Sequence, residues 1–141
     1  MKRKFLCAIL ALGVTGLSVA APPECTHDDL TKLVGEWKKA DWREWFRVGH
    51  ALSQCLVADD VQYFRVMVNE RQTFDGWLLG LGGHTFMYSD PAEKPKLEKL
   101  KETMVGIAER ASSSAKYGEL AKALRKRLET VAISEAPKIA D

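Results

Sequence analysis

Long apolar runs, acidic residues near the start and catalytic signatures are all missing from this sequence. The N-terminal apolar run, Phe5 to Leu12, is too short for a permanent membrane span, which takes about 20 residues. The first twenty residues hold no aspartate or glutamate. There is no GxSxG, no HExxH, no phosphate-binding glycine loop, no CxxCH and no dinucleotide fingerprint, so nothing points to a serine hydrolase, a zinc protease, a nucleotide enzyme or a haem carrier of the covalent type. The expectation is a protein that is not an enzyme and uses no cofactor and no metal. Cysteine is scarce too, at three residues.

What stands at the N-terminus is a leader pattern. Lys2, Arg3 and Lys4 precede the apolar run, and Ser18-Val19-Ala20 supplies the small residues a signal peptidase reads. The spacing predicts a signal peptide over 1–20 and a single mature domain over 21–141, with no stable membrane anchor after cleavage and a periplasmic or secreted location. Cys7 leaves with the leader. The formal charge of +2 then falls to about −1, which removes the main electrostatic argument for a nucleic-acid partner. The charge that remains is uneven, acidic up to Asp90 and basic from Glu93 to Thr130; a solvated face explains this, and so does a partner surface.

Cys25 and Cys55 stay, in a compartment that favours oxidation. Thr26 and Asp29 form a capping box before the helical repeat Leu30, Leu33, Val34 and Trp37. Asp41 and Glu44 form another, before Trp42, Trp45, Phe46, Gly49, Leu52 and Leu56 on one face. Two arms of about 15 residues, turning near Lys39 and Ala40, return Cys55 beside Cys25 and predict a disulfide across the open end of a helical hairpin. Trp42, Trp45 and Phe46 read as core first and as a ligand or partner platform second. His50 falls among Arg43, Arg47 and Gln54 on the polar side, and it lies about 140° around the helix from Cys55, so the two do not form a chelating pair.

Asp59 and Gln62 can cap a third helix with Val61, Phe64 and Val68, although the β-branched and aromatic residues of VQYFRVMV suit a strand as well. Thr73 can cap a fourth helix with Phe74, Trp77, Leu78 and Leu81, ended by Gly82-Gly83. GGHTFMYSD then reads as a loop, because its polar and aromatic residues show no helical stripe. Leu97, Leu100, Met104, Ile107 and Ala108 make a further helix, a break follows at Ser112 to Ser114, and Tyr117, Leu120, Ala121, Leu124, Leu128 and Val131 make the last, with Lys122, Arg125, Lys126 and Arg127 largely outward.

The fold class expected is all-α, a small bundle of about five helices with one disulfide; the alternative is α+β, with a three-stranded meander over 61–88. In general type, an exported helical domain with one disulfide and no catalytic signature resembles the small periplasmic inhibitors and immunity proteins that neutralise cell-wall-degrading toxins. That resemblance implies a protein partner contacted by a protruding loop or helix edge. Trp77, His84, Phe86, Met87 and Tyr88 are the partner-binding residues expected, since they combine anchor types with glycines that let a backbone approach. Two other functions fit the same sequence: a chaperone-like envelope-stress protein that exposes apolar surface conditionally, and a small-ligand, haem or metal carrier using His50 or His84.

Overall fold

Thr26 opens the first helix as its spacing predicts. In the computed structural model, which describes residues 25–138, the Thr26 hydroxyl accepts from the Asp29 amide at 3.1 Å and the Asp29 carboxylate accepts from the Thr26 amide at 3.2 Å. The helix α1 (His27–Lys39) buries Leu30, Leu33 and Val34. The second capping box is half formed: Asp41 accepts from the Arg43 and Glu44 amides, both at 3.0 Å, while the Glu44 carboxylate turns to Arg47. It starts α2 (Trp42–Ala58), whose buried face runs from Val48 to Leu56. Cys25 and Cys55 are disulfide-bonded, with Cα atoms 5.2 Å apart, and the bond closes the open end of the α1–α2 hairpin. The expected leader, residues 1–20 with Cys7, lies outside the described residues.

Residues 61–88 hold three helices in place of the meander. Asp59 serves two of the molecule's helices at once: its amide donates to the Cys55 carbonyl, ending α2, and its carboxylate accepts from the Gln62 amide, starting α3 (Asp60–Met67). Helix wins over strand here because α3 buries Tyr63, Phe64, Val66 and Met67 and exposes Arg65; alternation would have put Arg65 on the same face as Tyr63 and Met67. The helix α4 (Arg71–Leu79) starts before Thr73, which is buried a turn inside it and caps nothing. Gly82 and Gly83 do not stop a helix either. They lie within a one-turn helix, α5 (Leu81–His84), joined to α4 through Gly80.

After α5 the chain forms a two-residue strand, β1 (Met87–Tyr88), paired in parallel with β2 (Ser134–Glu135) near the C-terminus. A capped 3₁₀ turn at Pro91–Glu93 leads into α6 (Lys94–Ala111), which packs on α7 (Gly118–Thr130). The Ser114 hydroxyl accepts from the Lys116 and Tyr117 amides ahead of α7. Gly118 has no freedom to carry a side chain, since a Cβ would lie 2.7 Å from the Ser112 carbonyl oxygen. The fold is mostly α, with seven α-helices among the described residues against the five expected. The helix not read from the sequence is α5, split from α4 at Gly80.

One core cluster joins all the longer helices, and aromatics dominate it: Trp77, Tyr63, Phe64, Phe74 and Phe86 are the largest of its fully buried side chains. Phe64 stacks on Tyr117 with centroids 5.2 Å apart and planes 5° from parallel, tying α3 to the start of α7. Closing a loop of 30 residues contributes roughly 3 to 4 kcal/mol in the chain-entropy account of disulfides. A Cys25→Ala, Cys55→Ala variant is therefore expected to lose that amount of unfolding free energy and to unfold at a lower urea midpoint, with an unchanged helical circular dichroism spectrum before the transition. Equal midpoints would show that the bridge constrains nothing.

Candidate functional site

The expected partner-binding residues divide by burial. Trp77 and Phe86 are wholly buried and His84 is 6% exposed, whereas Met87 is 36% exposed and Tyr88 is half-buried. Within the segment read as a contact loop, His84, Thr85 and Phe86 are core, while Met87, Ser89 and Asp90 are exposed. Its aromatics carry no helical stripe because α5 is a single turn and the chain then changes to strand, so no period had room to develop.

His84 is held at the crossing of α2 with α4 and α5. Its Nε2 lies 2.9 Å from the Trp77 carbonyl oxygen, and its Nδ1 lies 2.7 Å from the Thr85 hydroxyl. A carbonyl only accepts, so Nε2 carries the hydrogen and donates to Trp77, which leaves Nδ1 of the neutral ring to accept from Thr85. Thr85 in turn accepts from Ser53, 2.6 Å away, and Ser53 accepts from the Trp77 indole N–H at 3.1 Å. The hydrogen bonds form one oriented circuit, from the Trp77 side chain through α2 and back to the Trp77 backbone. The Gly49 carbonyl sits 3.2 Å from both the Trp77 indole nitrogen and the Ser53 hydroxyl, and it completes the polar lining.

Glycine makes the crossing this close. A Cβ on Gly49 would overlap the imidazole of His84, and a Cβ on Gly80 would overlap the ring of Trp45. Burial is the main force lowering the His84 pKa from 6.5 to about 4; the bond to the Trp77 carbonyl opposes it and the charge of His50 adds to it. A hydroxyl beside an imidazole is the pairing of a nucleophile with its base. Here Ser53, Thr85 and His84 are each less than a tenth exposed, so the pairing lies within the core.

Above this cluster the surface is aromatic. Trp45 is half-buried, edge-on to His84 at 5.1 Å and to Phe46 at 4.9 Å, and 5.8 Å from Trp37. Trp42 and Phe46, expected in the core, are 70% and 41% exposed. They share a face with Trp45, but the first two turns of α2 reach past the level at which other helices cover it, and buried positions begin only at Val48. Leu79, next to Gly80, is 76% exposed. Beside the ridge, Arg47 donates to Glu36 at 2.7 Å and to Glu44 at 2.6 Å, and the Arg43 guanidinium lies 5.2 Å from the Trp42 ring centroid. An apolar centre with a charged margin is the usual anatomy of a protein–protein contact.

His50 is exposed on α2, and both ring nitrogens of His84 are occupied by the circuit. Among the described residues no three histidine, cysteine or acidic side chains stand close enough to share a metal ion, and no helix is long and apolar enough to cross a membrane. The chain matches no protein-family model, no curated protein and no solved structure.

The His84 environment carries a pH dependence of definite sign. Its folded pKa lies below the unfolded value, so between pH 6.5 and about 4 the unfolded chain binds a proton that the folded chain refuses. This contribution to stability is complete above pH 6.5 and is lost as the pH falls towards 4, by about 3 kcal/mol. Urea unfolding at pH 7 and pH 4.5 is expected to show a clear fall for the wild type and a smaller one for His84→Gln. Equal falls would place the sensitivity elsewhere.

Proposed function

We propose that this chain is an exported, non-enzymatic protein that acts by stoichiometric contact with another protein, in the manner of a small inhibitor or immunity protein of the cell envelope, and that the α2 ridge of Trp42, Trp45 and Phe46 is its contact face. The observation that carries the reading is the exposure of two large aromatics on a rigidly backed helix end. Trp45 beneath them is pressed against Gly80 and Gly83, so the ridge is ordered before binding and little freedom is lost on contact. Tryptophan is among the residue types that dominate interface energies. The occupant is a protein surface with a complementary apolar recess; the mixed charges of Arg43, Glu44 and Arg47 at the margin suit a polar rim. Export is supported by the leader pattern of residues 1–20 and by the disulfide, which belongs to an oxidising compartment.

The chaperone-like reading has one observation in its favour, the buried His84. Its contribution of about 3 kcal/mol is small beside the roughly 5–15 kcal/mol that holds a domain folded, and the circuit can accept a proton by reversing its hydroxyls toward the Gly49 carbonyl. Acid at the level of this one group therefore leaves the core closed, and contact through the standing ridge is the stronger account.

A photo-crosslinking residue at position 42 is expected to give a single adduct with a partner from the exported fraction, and the pair Trp42→Ala, Phe46→Ala is expected to weaken that complex by roughly 30-fold or more without lowering the thermal midpoint. A partner that binds this variant as well as wild type would move the contact off the ridge. Substrate turnover by the pure protein would overturn the binding-protein reading itself.

A further inference from the structure

We propose that the recess between the end of α1 and the start of α4 binds a carboxylate group. Trp37 and Lys38 of α1 and Gln72 and Thr73 of α4 line it, and its volume is about 310 Å³. It borders the aromatic ridge, since Trp37 packs on Trp45 with ring centroids 5.8 Å apart, but its lining is polar and its use does not depend on what covers the ridge.

Donors without acceptors collect at this place. Side chains cap α1, α2 and α3 through Thr26, Asp41 and Asp59. The helix α4 starts without such a cap: Glu70 holds the N-cap position, yet its side chain makes no bond to the helix, and the amides of Arg71, Gln72 and Thr73 meet no acceptor among the described residues. Two of those amides belong to residues of the recess. An uncapped helix start draws an anion through its free amides and its dipole.

Thr73 points to a ligand independently. It is 2% exposed, and its hydroxyl is buried with no hydrogen-bond partner among the described residues. Folded proteins rarely leave a buried hydroxyl unpaired, and valine fills the same space without that cost. A carboxylate oxygen in the recess is an acceptor for it.

Trp37 adds a third kind of donor. Its indole N–H makes no hydrogen bond among the described residues, and its ring lies against α4 where Gly76 has no side chain, with Cζ2 3.3 Å and Nε1 3.5 Å from the position a Cβ would take. Gly76 is one turn beyond Gln72 and Thr73, so the indole and the Thr73 side chain share one side of α4 near its uncapped end.

Charge selects the class of ligand. The Lys38 ammonium lies 2.8 Å from the Glu70 carboxylate, and that pair is balanced before anything enters. An incoming carboxylate can replace Glu70 at Lys38 and accept at the same time from the α4 donors that Glu70 leaves unused. A polyanion finds a single ammonium in the lining, and a cation meets the positive end of a helix.

The test titrates sodium acetate and N-acetylglycine into the mature oxidised protein at pH 7 and constant ionic strength, read by proton–nitrogen correlation spectra. Saturable shifts of the Gln72 and Thr73 amides and of the Trp37 indole N–H are expected, and none with uncharged N-acetylglycinamide. A free acid and the end of a peptide chain carry the same group: tighter binding of N-acetylglycine than of acetate assigns the recess to a chain end, and equal binding assigns it to a small acid. Thr73→Val is expected to weaken the acid about 10-fold while holding or raising the thermal midpoint, and Lys38→Gln to weaken it about 5-fold. Glu70→Gln is expected to strengthen it, because the lysine is released. Absent saturation, shifts that sodium chloride reproduces, an equal response to the uncharged amide, wild-type affinity in Thr73→Val or Lys38→Gln, or weaker binding in Glu70→Gln would each overturn the assignment.

Discussion

The approach of His84 to the backbone of α2 at Gly49 governs more of this molecule than any other single contact. It requires a glycine on α2, because a methyl group there would occupy the imidazole's place. A neutral ring satisfies it, one nitrogen donating to a carbonyl and the other accepting from a hydroxyl. And it draws in Ser53 from α2, Thr85 from the residue after α5 and the indole of Trp77 from α4, so that each polar group brought into the core by the crossing finds a partner there. Unsatisfied, the same groups would cost about 1 to 3 kcal/mol each. Satisfied, they fix how α2, α4 and α5 meet.

The surface inherits that order. Trp45 rests on the α4–α5 junction only because Gly80 and Gly83 leave its ring room, and it packs edge-on against the same His84 ring that fills the crossing. Trp42 and Phe46 then stand out from a helix that cannot rotate or slide without breaking the buried circuit. At its other end, past the circuit, the same helix is pinned through Cys55 to Cys25. At 49 and 80, glycine thus admits a neighbour from within the fold.

The parts legible in the sequence were those set by local chemistry. The Thr26 and Asp41 caps, the repeat of Leu30, Leu33 and Val34, and the equal arms that bring Cys25 to Cys55 all depend on residues within one or two turns of each other, and periodicity reports these directly. Exposure at a helix end is not local. Trp42 and Phe46 lie on the apolar face of α2 as their spacing predicts, yet whether anything covers that face depends on where other helices stop. The circuit was hidden for the same reason, since Ser53, Trp77 and His84 meet only through the tertiary crossing. Gly83 was misread because a glycine that ends a helix and a glycine that admits an aromatic ring look alike in a sequence.

The account stands on the state of one imidazole, and the nitrogen chemical shifts of His84 report that state directly. Long-range proton–nitrogen correlation spectra of the oxidised protein are predicted to show a neutral ring at pH 7 with its hydrogen on Nε2 and an unprotonated Nδ1, and to keep that pattern as the pH is lowered to about 5. A ring with its hydrogen on Nδ1, or one that titrates near 6.5 as a solvated histidine does, would contradict the circuit and with it the fixed seat of the α2 ridge.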